Sequence, residues 1–139
     1  MTDMHAGDET ELAFGGLRFG VAFRGPGATL RVDGEVDGHR RELLRFDDFI
    51  DAPHYHVPAE ADPIMFDRDA LGAPLDWYID QIRDHLGELL RTGGYESIID
   101  HVDLGEVTAN ADRIKQAMED CVPEGYVRRP GIGLQRADG

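Results

Sequence analysis

Apolar and polar residues alternate with a period of two in the first half of the chain and recur with a period near 3.6 in the second half. Leu17, Phe19, Val21 and Phe23 alternate with Arg18, Gly20 and Ala22, which predicts a half-buried strand within Leu12 to Phe23. Arg24-Gly25-Pro26-Gly27 is a turn cluster, and Leu30, Val32 and Val36 mark the next strand. Asp33-Gly34 and Asp37-Gly38 both favour positive φ; taking Asp37-Gly38 as the hairpin and Asp33-Gly34 as a bulge leaves two strands of useful length. The next stretch, Arg41 to Phe49, carries Leu43, Leu44, Phe46 and Phe49, an irregular alternation that suggests a bulge or a strand covered on both faces. Pro53 and Pro58 bracket His54-Tyr55-His56-Val57 and favour extended backbone there. This predicts a short edge strand with Tyr55 and Val57 on one face and His54 and His56 on the other.

Residues 59–74 read as a linker whose Ile64, Met65 and Phe66 plug the sheet edge. Leu75, Tyr78, Ile79, Ile82, Leu86, Leu89 and Leu90 form one helical stripe from Pro74 or Leu75 to Arg91, closed by Gly93-Gly94. A second, short helix is expected over Tyr95 to Val102, and a third from about Gly105 to Cys121, ended by Pro123. Strands first and helices after predict an α+β fold: an antiparallel meander of about four strands, with two to three helices packed on one face. The other face meets solvent or a second copy. The length suits a single domain, residues 1–139, with 1–11 and 124–139 as flexible tails.

The net charge of −14 repels phosphate backbones and anionic lipid, so neither a nucleic acid nor a membrane is an expected partner. No apolar run approaches the ~18 residues of a membrane span. The acidic N-terminus does not resemble a secretory signal, and the single cysteine, Cys121, allows no disulfide within the chain; a cytoplasmic location is expected. Cys121 falls on the apolar register of the last helix, as a packing residue would. The one serine, Ser97, lies in a helical stretch without a nucleophile elbow, and no glycine-rich stretch has phosphate-loop spacing. No motif fixes an enzymatic reaction.

Chemistry concentrates between Asp47 and Asp62, where Asp47, Asp48, Asp51, His54, His56, Glu60 and Asp62 fall within sixteen residues. Histidines at i and i+2 of a strand project from one face and can reach a common divalent ion, with a carboxylate completing the set. The candidate metal ligands are His54, His56, Asp47, Asp51 and Glu60, with Asp48 a further carboxylate within reach. Mixed imidazole and carboxylate donors suit Zn²⁺, Mn²⁺ or Fe²⁺. The plainer alternative places both imidazoles on the solvent face of an edge strand, where polar groups discourage strand pairing, with Asp47 and Asp51 capping turns. His54 to Glu60 also matches the HxHxxxE core of the first cupin motif, but the flanking glycines and the later histidine strand of that fold are missing.

Leu44-Arg45-Phe46-Asp47-Asp48-Phe49 followed by Pro53-His54-Tyr55-His56 resembles a small uncharacterised bacterial family carrying an LRFDxF stretch and then PHYH. The likeness spans residues 28–90 and implies no activity. Three functional expectations follow. The first is a small acidic accessory or interaction protein, a homodimer or a subunit of a larger assembly. The second is a metal-binding protein or metal-dependent enzyme built on the His-x-His pair. The third is a small-molecule binding module with a pocket lined by Phe46, Tyr55 and Trp77.

Overall fold

A computed structural model describes residues 9–138. Six strands form one antiparallel sheet in chain order: β1 (Thr10–Phe14), β2 (Leu17–Arg24), β3 (Gly27–Val36), β4 (His39–Phe49), β5 (His54–His56) and β6 (Ile64–Met65). Helices α1 (Arg68–Leu71), α2 (Pro74–Asp84), α3 (Leu86–Thr92), a 3₁₀ helix (Glu96–His101) and α4 (Leu104–Asp120) follow, then a hairpin of β7 (Tyr126–Arg129) and β8 (Gly133–Arg136). The fold is α+β, with the helices against one face of the sheet.

The strand expected from Leu12 to Phe23 is two strands. Gly15 and Gly16 take φ of 62° and 87° and reverse the chain between β1 and β2. A Cβ on Gly15 would lie 2.4 Å from the Asp103 carbonyl oxygen, so the turn is seated against the start of α4. The Gly15 amide also donates to the Glu106 carboxylate at 2.8 Å. Thr10 and Glu11, expected in a frayed end, belong to β1; residues 1–8 of that stretch lie outside the described residues.

Asp37-Gly38 is the β3–β4 turn, with φ of 53° and 81°. The bulge sits across from the position expected. Val32 faces Leu44 but Asp33 faces Glu42, which leaves Leu43 as the extra residue on β4. Leu43 and Leu44 can therefore both be buried despite being neighbours, and the irregular alternation of this strand has its cause.

The core face of the sheet presents Leu17, Phe19, Val21 and Phe23 from β2, Leu30 and Val32 from β3, and Leu44 and Phe46 from β4. They pack on Tyr78, Ile79 and Ile82 of α2 and on Val107, Ala111, Ile114 and Met118 of α4, each large side chain contributing about 1.5–3 kcal/mol by burial. The outer face is polar and its charges pair: Arg31 with Glu9 and Asp33, Arg40 with Asp33 and Glu11, Arg18 with Glu11, and Arg45 with Glu42.

The helix expected from Pro74 to Arg91 breaks at His85, whose φ of −133° is not helical. The apolar stripe runs through the break, since Leu86 and Leu90 are buried like Ile79 and Ile82, so periodicity does not reveal it. The segment from Tyr95 to Val102 is a 3₁₀ helix rather than an α-helix. Ile64 and Met65 form β6 and stay exposed instead of plugging the edge, while Phe66 is buried beside Trp77 and Tyr78. Residues 124–139, expected as a flexible tail, contain the β7–β8 hairpin: Leu134 is fully buried, Tyr126 packs on Phe23 at 4.9 Å, and Arg128 meets Asp48 at 2.5 Å. Cys121 is half-buried; its thiol donates to the Met118 carbonyl, and burial pushes its pKa up to about 11, which leaves it unreactive. No helix among the described residues is long and apolar enough to cross a membrane.

Candidate metal centre

Alternation along the end of β4 sends neighbouring carboxylates to opposite faces. Asp48 points with Phe46 toward the helices, where it is fully buried against Arg128. Asp47 points outward with Arg45 and Phe49. Antiparallel pairing sets Asp47 opposite His54, Phe46 opposite Tyr55 and Arg45 opposite His56. Tyr55 therefore turns inward and stacks on Phe46 at 6.1 Å, while both imidazoles turn outward over Asp47.

The ligand atoms of Asp47, His54 and His56 all lie within 4.8 Å of one another. His54 Nε2 is 3.0 Å and His56 Nε2 3.5 Å from the same oxygen, Asp47 Oδ2. Donors about 2.1 Å from a common ion and about 90–110° apart stand roughly 3.0–3.4 Å from each other, so these spacings match neighbouring corners of a coordination sphere. The two rings meet at 84°, with centroids 5.2 Å apart, and Phe49 packs edge-on against His54 at 5.2 Å.

Hydrogen bonds on the far side of each ring decide which nitrogen is free. His54 Nδ1 lies 2.8 Å from the Ala52 carbonyl oxygen, and His56 Nδ1 lies 2.7 Å from that of Ala61. A carbonyl oxygen only accepts, so each Nδ1 carries the hydrogen and each neutral ring turns a bare Nε2 lone pair toward Asp47. Metal-binding histidines are held by this same pattern of Nδ1–H donation to a carbonyl. Ala52 is kept at φ 53°, a conformation costly for a residue with a Cβ, and so aims its carbonyl at His54.

Asp47 is buried to 4% of its side-chain surface, and its second oxygen, Oδ1, has no hydrogen-bond partner. Burial raises its carboxyl above the usual range; the charges of His54, Arg45 and His56 act in the opposite direction without reversing this. Two lone pairs and an under-solvated carboxylate thus converge in an arrangement that could hold a metal ion. One proton can bridge one of the two imidazole–carboxylate contacts, whereas one metal ion could meet both.

The remaining expected ligands stand apart. Asp51 is exposed in the bend after β4, and Glu60 is exposed and paired with Arg41 at 3.3 Å. Asp48 serves the opposite face. Phe46, Tyr55 and Trp77, expected to line a pocket, pack together and on Tyr78, with Tyr55 and Trp77 at 5.2 Å and Phe46 and Tyr78 at 5.2 Å, so they fill the space a ligand would need. Sequence reading passes over Ala52 and Ala61, which act through carbonyls that every residue has, and over Tyr78, which looks like one more core position on a helix stripe. Its hydroxyl reaches the Asp47 and His54 carbonyl oxygens, at 3.1 Å each.

The family model described as a domain of unknown function, DUF7700, matches residues 11–118, a span that includes Asp47, His54 and His56 and stops short of the C-terminal hairpin. No curated protein and no solved structure matches the chain.

Proposed function

This chain belongs to the DUF7700 family, and we propose from its own geometry that it binds one divalent metal ion through Asp47 Oδ2, His54 Nε2 and His56 Nε2. The observation that carries this reading is the pair of Nδ1–H bonds to Ala52 and Ala61, which leave two imidazole lone pairs aimed at a buried carboxylate. Two imidazoles and one carboxylate suit Zn²⁺, Mn²⁺ or Fe²⁺ and leave coordination positions for water or a substrate oxygen. Such an ion supplies Lewis acidity and lowers the pKa of a bound water. His54 and His56 keep 19% and 16% of their side-chain surface exposed, which supports access from solvent. The test is elemental analysis of protein purified without a histidine tag, beside His56→Ala. About one metal per wild-type chain and much less in the variant is expected, because losing a direct ligand costs at least the 10-fold typical of losing a group that merely supports one. Under ~0.1 metal per chain in the wild type removes the reading, since so little occupancy leaves no ion for the ligands to hold.

A second reading, docking of a protein partner or a second copy, draws on the exposed apolar residues Ile64, Met65, Leu71 and Ile132. The first three lie within residues 64–71, and Arg68 ties the fourth to α1 by donating to the Ile132 carbonyl at 3.1 Å. Light scattering behind size exclusion, together with a pull-down, tests it. A monomer without a partner contradicts it.

A further inference from the structure

We infer that Tyr78 is a positioning residue for the metal site, acting from the opposite face of the sheet through the main chains of two ligands; this rests on the metal-binding reading. Asp47 and His54 are cross-strand partners, and their side chains converge on the outer face. On the inner face the Tyr78 hydroxyl lies 3.1 Å from both of their carbonyl oxygens and can donate to either. One buried hydroxyl thus pins the pair of backbone units that presents two of the three metal donors.

The strand it holds is a short one, paired with β4 at three positions, Arg45 with His56, Phe46 with Tyr55 and Asp47 with His54. β5 is three residues long, pairs with β6 at only two positions, and follows Pro53, which has no amide hydrogen to contribute. Tyr78 is itself immobile: it is fully buried, and the rings of Phe46, Phe66, Trp77 and Tyr55 surround it at 5.2, 5.7, 6.1 and 6.2 Å. A coordination site needs its donors held to about 0.5 Å, and a shift of β5 along β4 moves His54 and His56 together relative to Asp47.

Tyr78→Phe removes one oxygen and keeps the ring. Tag-free wild type, Tyr78→Phe and Ile82→Val are titrated with Co²⁺, reading affinity, the visible ligand-field bands and the melting temperature without metal. Ile82→Val trims the same buried helix face and controls for loss of stability alone. The expected result is a folded Tyr78→Phe protein whose Co²⁺ affinity falls about 10-fold or more, with altered ligand-field bands, while Ile82→Val binds and absorbs like the wild type. A Tyr78→Phe protein with wild-type affinity and spectrum overturns the inference and leaves the metal site standing. So does equal weakening in Tyr78→Phe and Ile82→Val with unchanged spectra. A wild type that takes up no Co²⁺ overturns the metal site and the role of Tyr78 together.

Discussion

His54 Nε2 and Asp47 Oδ2 stand 3.0 Å apart with no ring hydrogen between them when the ring is neutral, because that hydrogen goes from Nδ1 to the Ala52 carbonyl. Metal-free protein must therefore hold an acceptor against an acceptor or take up a proton. Asparagine in place of Asp47 relieves the contact, since its amide group can donate to Nε2.

The pH dependence of that relief has a definite sign. Burial puts the folded-state pKa of Asp47 above its ordinary value of 3.8. The stability this proton contributes is complete below the ordinary value and is lost as pH rises through the raised one. The amide of the Asp47→Asn variant does not ionise and keeps it. Metal-free Asp47→Asn should melt several degrees above wild type at pH 7, ~1 kcal/mol being worth about 2–8 °C at this size, and the difference should close toward pH 4. Calorimetry across that range checks it. Added metal should reverse the order, since only the wild type gains from binding.

Among the acidic and imidazole groups of residues 47–62, only three should matter for the metal. His54→Ala and His56→Ala should each weaken affinity by at least about 10-fold and so cut the stabilisation given by metal at a hundredfold excess over the wild-type Kd from about 2.7 kcal/mol to about 1.4 kcal/mol or less. Asp51→Asn and Glu60→Gln should bind as wild type, because the first is exposed in a bend and the second pairs with Arg41. Calorimetric titration of the four variants separates the two groups.

Arg128 should carry more stability than a surface cation. Its partner Asp48 is fully buried, with Oδ1 left unpaired, so Arg128→Met would strand a charge in the core at a cost of about 3–5 kcal/mol at pH 7. Burial also raises Asp48, so the deficit should shrink as the pH falls through its raised value and the carboxyl takes up a proton. Asp48→Asn combined with Arg128→Met should recover most of the loss. Urea melts at pH 7 and pH 5 measure this.

Gly27→Ala links the hairpin turn to the site. A Cβ there would lie 2.4 Å from the Asp48 carbonyl oxygen and 2.7 Å from the Phe49 Cα, both backbone atoms that must move. The displaced stretch adjoins Asp47, so the substitution should cost about 1–3 kcal/mol and also weaken metal binding, measured by melting and by titration. Gly125→Ala, also at positive φ but with open space around its Cβ, should affect stability alone.

The facing of the two imidazoles was legible from the sequence, since Pro53 and Pro58 enforce extended backbone and alternation does the rest. That Asp47 rather than Asp51 or Glu60 would lie beneath them was not. This follows from the β4–β5 register, and a bend with Ala52 at φ 53° sets that register with no proline or glycine at the position to signal it. The Gly15-Gly16 turn was visible as a dipeptide but hidden by an alternation that continues across it. The C-terminal hairpin escaped because its anchors, Leu134, Arg128 and Tyr126, are single residues amid glycines, and the partners Asp48 and Phe23 lie far back in the chain.

The most direct measurement is calorimetric titration of tag-free wild-type protein at pH 7 with Zn²⁺, Mn²⁺ and Fe²⁺, the last without oxygen. One ion per chain, with binding lost in Asp47→Ala and His56→Ala, is the predicted result. Wild-type protein that gives no binding heat and no thermal shift with any of the three would contradict it.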